Sequence, residues 1–88
     1  MEEIRPHIEK IHDTPHKAVV AVSGAGTQAV AWILGVAGAS RTILEALVPY
    51  GRDSMNSFLG FEPEQSASAQ TAKDMGKAAY RKARSQLE

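Results

Sequence analysis

The chain has 88 residues, ten of them basic and ten acidic, with no cysteine and 43% hydrophobic residues. A chain of this length makes one domain, which buries only about 60–65% of its unfolded surface and so has a small stability margin. Zero net charge argues against a general nucleic-acid binder, which shows a basic excess, and the absence of cysteine excludes disulfides, thiolate nucleophiles and zinc–thiolate sites.

The start, Met1-Glu2-Glu3, is acidic and leads into no apolar core, so no signal peptide is expected. The apolar stretch from Ala18 is broken by Ser23 to Gln28 and is not a membrane span. The expected compartment is the cytoplasm, or an organelle if a transit segment has been trimmed.

Ile4, Ile8 and Ile11 recur at helical spacing, and Pro6 is tolerated only in a first turn. This predicts a short amphipathic helix over 5–12, stopped by Asp13-Thr14-Pro15. Small and β-branched residues from Ala18 to Val22 predict a buried strand. It runs into a glycine-rich turn, Ser23-Gly24-Ala25-Gly26-Thr27. A helix follows, with one apolar stripe of Val30, Ile33, Leu34 and Ala37 and another of Ala29, Trp32 and Val36. A helix apolar on two sides is buried between layers or pressed on another chain. Gly38 suits a left-handed cap at its end.

Ser40 is placed to cap a further short helix, with Thr42 and Glu45 as a second capping register. Residues 46–50 read equally as a second strand, short or at an edge because Pro49 lacks a donor. After the turn Gly51-Arg52-Asp53, either Asp53 or Ser54 suits the cap of a helix with Met55, Phe58 and Leu59 inside. Gly60 ends that helix, Phe61 is placed to fold back on it, and Pro63 prevents its continuation. Residues 62–68 form a polar connection. The last helix spans 68–86, with a narrow stripe of Ala72, Met75, Ala79 and Ala83 and a basic outer face. The fold class is therefore α/β, a small parallel sheet with packed helices. A strand–helix–strand order implies a parallel pair with a right-handed crossover. Two parallel strands make a poor sheet alone. Either another chain completes the layer, or the sequence is part of a larger domain.

The order of these features resembles the first half of the C-terminal domain of the competence-damage-inducible protein CinA family. That family's pattern runs A-E-S-C-T-G-G, then G-S-S, V-x-Y-S-N-x-x-K, L-G-V and V-S-x-x-V-A-x-x-M-A. Ser23 falls on the serine of the glycine turn, Gly38 and Ser40 on G-S-S, and Tyr50 on the tyrosine. Leu59-Gly60-Phe61 falls on L-G-V, and Ala72 and Met75 on the last helix. Val22 replaces the family's glutamate, Ala25 its threonine, Gly26-Thr27 its doubled glycine and Met55 its lysine. The resemblance implies part of a three-layer domain and an amidohydrolase module for nicotinamide mononucleotide. It also implies at least a dimer.

Amide hydrolysis needs a nucleophile, a base and donors for the oxyanion. The resemblance makes Ser23 the candidate nucleophile and Tyr50 the auxiliary group. The N–H groups of Gly24, Ala25, Gly26 and Thr27, with Ser40, are the candidate ligand or phosphate contacts. With the lysine replaced by Met55, Lys17 and Arg52 are the cations left to weigh as a base, and arginine holds its proton too tightly. Catalysis is thus expected to be impaired or lost. The alternative is a non-catalytic module for nucleotide binding or protein interaction. No cofactor or metal is expected. Gly24-x-Gly26 is neither a dinucleotide fingerprint nor a P-loop. His7, His12 and His16 read as surface histidines, because Pro15 breaks the helical spacing a metal pair needs. The expected partners are a small nucleotide and a second copy of the chain, without nucleic acid or membrane.

Overall fold

A computed structural model describes residues 2–65 and 67–88; Met1, and Ser66 within the expected connection, lie outside the described residues. The chain runs α1 (Arg5–His12), β1 (Ala18–Ala21), a 3-10 turn (Gly24–Gly26), α2 (Thr27–Gly35), α3 (Ala39–Thr42), β2 (Ile43–Leu47), α4 (Arg52–Leu59) and α5 (Ala69–Leu87). The fold is α/β. β1 and β2 form a two-stranded parallel sheet, with Val20 opposite Ala46 and Ala21 opposite Leu47.

Successive strand side chains point to opposite faces, so each face takes a different helical layer. Val20 and Ala46 meet Val30, Ile33 and Leu34 of α2. Ala21 meets the cluster of Met55, Leu59, Met75 and Ala78, supplied by α4 and α5. That second layer is the better buried: all four cluster residues are at most 8% exposed, whereas no residue of α2 is fully buried. Among the described residues no helix is long and apolar enough to cross a membrane.

Several elements fall where the sequence places them. α1 has the expected bounds, with Pro6 in its first turn. α4 ends at Gly60, which adopts the left-handed conformation (φ 88°) and donates its N–H to the Asn56 carbonyl at 2.8 Å. Ser68 caps α5 by accepting from the Thr71 N–H at 3.1 Å.

Other elements move. α2 stops at Gly35, because Val36 turns to extended backbone and is buried. Gly38 is left-handed (φ 98°), but it is the N-cap residue of α3 rather than the end of α2. Ser40 therefore lies inside α3 and caps nothing. The second strand starts at Ile43, three residues earlier than expected, and Pro49 follows it as a buried turn residue. At α4 the N-cap position belongs to Gly51, and Asp53 lies in the first turn. On α5 the inner face is Thr71, Met75, Ala78 and Ala79, and Ala72 is exposed.

His12 is the clearest correction. It is 1% exposed, not a surface histidine. Its Nε2 lies 2.8 Å from the Ile33 carbonyl, which can only accept, so that nitrogen carries the proton. In the neutral ring Nδ1 then accepts from the Thr42 hydroxyl, 2.5 Å away. One imidazole thereby joins α1 to the end of α2 and the end of α3. The other two histidines are exposed.

Candidate functional site

The two strands are parallel, so both end at the same edge of the sheet, and the loops leaving them gather there. β1 continues through Val22, whose N–H donates to the Leu47 carbonyl at 3.0 Å, and then leaves through Ser23 into the glycine turn. β2 leaves through Val48, Pro49 and Tyr50. The Tyr50 N–H donates back to the Val48 carbonyl at 2.8 Å, a three-residue turn around the buried Pro49. This turn brings Tyr50 over the glycine turn: a Cβ built on Gly24 would lie 3.4 Å from the Tyr50 ring. Gly24 also has φ +34°, where L side chains rarely sit. Gly26 answers to a different constraint, since a Cβ there would come within 2.7 Å of Val22 Cβ.

Between these loops and the start of α4 lies a cleft of about 590 Å³. Ser23, Gly24, Ala25, Tyr50, Arg52, Asn56 and Glu62 line it, with Met55, Pro63 and Ala67. The fold thus brings together Ser23, Gly24, Ala25 and Tyr50. Gly26 instead faces a second groove, along β1 and α5. Thr27 opens α2, and its hydroxyl donates to the Gly24 carbonyl at 3.3 Å, which braces the turn. Ser40 does not join the others. α3 feeds the N-terminal end of β2, whereas the Ser23 turn follows the C-terminal end of β1, so Ser40 stands at the opposite end of the sheet.

No sequence motif singles out Asn56 or Glu62. A signal for Asn56 was nonetheless present: Arg52 and Asn56 are four residues apart on a helix that begins just after Tyr50, so they share its cleft-facing side. Glu62 arrives only through the loop after Gly60, where it forms an exposed ion pair with Arg52.

The arrangement is rich in binding groups and poor in catalytic ones. Ser23 holds the position before the 3-10 turn, but its side chain makes no cap hydrogen bond. Lys17 is at the far end of β1, six residues or about 20 Å of extended chain from Ser23, and it donates to the Arg41 carbonyl. Arg52 is engaged with Glu62. Met55 is 4% exposed and packs with Leu59, Met75 and Ala78, so it is a core residue that only edges the cleft. Glu62 is the only carboxylate among the residues lining the cleft. Among the described residues no three metal-ligating side chains gather in one place. Compared with protein-family models, with curated proteins and with solved structures, the chain gives no significant match.

Proposed function

We propose that this cleft binds a small anionic nucleotide, of the nicotinamide mononucleotide class that the resemblance to the CinA family implies, without hydrolysing it. The observation that carries the reading is the convergence of Ser23, Gly24 and Tyr50 with Arg52 and Asn56 at the C-terminal ends of two parallel strands. Tyr50 is 78% exposed and offers a ring face for stacking. Arg52 offers two parallel donors to a phosphate. An exposed ion pair contributes only about 0–1 kcal/mol, so exchanging Glu62 for a phosphate costs little. Asn56 can donate to and accept from a carboxamide. Hydrolysis is left out because, among the described residues, no hydrogen bond joins the Ser23 hydroxyl to a basic side chain, Lys17 is engaged at the far end of β1 and the one carboxylate lining the cleft, Glu62, is paired with Arg52.

The test is a calorimetric titration with nicotinamide mononucleotide alongside an assay for released ammonia. Binding without ammonia is the expected result, with Arg52→Ala weakening it by about tenfold through loss of the charged bidentate contact. Failure to bind at millimolar ligand would overturn the reading.

A second reading, a functioning amidohydrolase, has Ser23 in the cleft in its favour. Ammonia release that disappears in Ser23→Ala would establish it. Restoring the family lysine is not expected to help. Met55 lies in the core, so Met55→Lys brings an ammonium into an apolar cluster and destabilises the fold before it supplies a base.

A further inference from the structure

The sheet has a second edge that the cleft beside Ser23 does not use. Val22 directs its N–H to β2. Backbone groups alternate along a parallel strand, so Val19 and Ala21 direct theirs away from β2. Among the described residues no strand pairs with that side of β1. It opens on a groove of about 620 Å³ between β1 and α5, lined by residues 17–23 and by Ala72, Gly76, Ala79 and Ala83. The extended stretch from Ala18 to Ser23 runs about 16 Å, and the helix from Ala72 to Ala83 rises about the same. The groove therefore has the length of a strand of five or six residues, with backbone donors and acceptors along one wall. Its α5 wall sets the small residues Ala72, Gly76, Ala79 and Ala83 among Met75 and Tyr80, so a neighbouring chain can lie close at the small positions.

Charge decides what fits. Lys73, Lys77 and Arg81 follow at four-residue intervals along α5, beside Gly76 and Tyr80. All three are exposed, and among the described residues none is in an ion pair, whereas Arg5, Arg52, Lys82 and Arg84 each are. A cationic strip thus borders the groove. A second copy pairing its own β1 antiparallel to this one would set α5 beside α5 and bring like strips together. An extended segment with carboxylates would neutralise the strip, and its backbone would complete the sheet. We infer that the free edge of β1 is a docking site for an extended, acidic polypeptide segment, which adds a third strand and sets its carboxylates on Lys73, Lys77 and Arg81.

The experiment uses a labelled peptide, acetyl-Val-Glu-Val-Glu-Val-Glu-Val-amide, titrated into the full chain and followed by fluorescence anisotropy. Micromolar binding is expected. The double variant Lys73→Glu/Lys77→Glu, on the solvent side of α5, should weaken it by about tenfold or more, since opposite charge now faces like charge. The same peptide N-methylated on alternate residues should bind in one register of methylation and not in the other, because only one edge of a strand pairs with β1. The corresponding Val-Lys peptide should not bind. Equal affinity for the Glu and Lys peptides, or indifference to N-methylation, would overturn the inference. So would light scattering that shows a dimer whose formation blocks the peptide, because the edge would then belong to a second copy. Binding of a single-stranded oligonucleotide that competes with the peptide and is lost in the same double variant would overturn it in favour of nucleic acid.

Discussion

The two faces of the sheet are covered by helices that exchange the roles their sequences suggest. α2 is nine residues, TQAVAWILG, with no charged side chain. α5 is 19 residues with five lysines and arginines between Lys73 and Arg84. Yet α5 holds four fully buried residues and α2 holds none, and Leu34 of α2 is 49% exposed. Burial is decided by what lies on the other side of a helix. α5 lies against both β1 and α4, so its inner face is enclosed by two elements. α2 touches α1, α3 and the 3-10 turn, which are all short, and a sheet only two strands wide, and together these do not enclose two apolar stripes.

That contrast can be tested by truncating each side. Leu59→Ala removes a side chain that is 4% exposed from the α4–α5 cluster and should cost about 3–4 kcal/mol. In a domain of this size that is a large part of the folding free energy, and the urea midpoint should fall accordingly. His12→Ala comes next. It leaves the Ile33 carbonyl and the Thr42 hydroxyl without their buried partner and opens a cavity, at about 2–3 kcal/mol. His12→Gln, able to replace one of the two bonds, should recover part of the loss in the same denaturation series. Leu34→Ala on α2, half-exposed, should cost less than about 1 kcal/mol. An equal loss at Leu34 and Leu59 would mean that α2 is covered in solution by something outside this chain.

Glycines sharpen the comparison. Gly26→Ala meets Val22 Cβ at 2.7 Å, a contact between backbone-attached atoms that cannot swing away. It should destabilise by about 1–2 kcal/mol and loosen the turn beside the Ser23 cleft, which the same urea titration would read. Gly76→Ala meets nothing within 4 Å and sits inside α5, so it should stabilise by roughly 0.5–1 kcal/mol, read as a rise in Tm.

Much of the local architecture was legible in the residues. Pro6 followed by isoleucines at helical spacing set α1, and Gly60 before Pro63 set the end of α4. The alternation from a β-branched run to a glycine turn to a helix set the β1 region and, with it, the place of Ser23 at the cleft. The misplaced parts share a cause. Ile43 to Leu47 carries apolar residues that suit a helix face or a buried strand equally, and only pairing with β1 selects the strand. Ser40 was a candidate contact only through the family resemblance, and the crossover puts it at the other end of the sheet. Asn56 and Glu62 carry no motif and reach the cleft only because α4 and the loop after it fold back over the strand ends.

The residues alone therefore dictate part of the local architecture: the bounds of α1, the end of α4 at Gly60, the Ser68 cap of α5, which turn leaves β1, and that the class is α/β. Those choices rest on short-range sterics and hydrogen bonding, which a few neighbouring residues contain. Tertiary structure settled the rest. It buried His12 by giving both ring nitrogens partners 21 and 30 residues away. It left α2 only partly covered. It also joined Tyr50 to Gly24 across the ends of two strands. Each of these depends on which surfaces meet, and contacts between residues far apart in sequence leave no periodic signal in the chain.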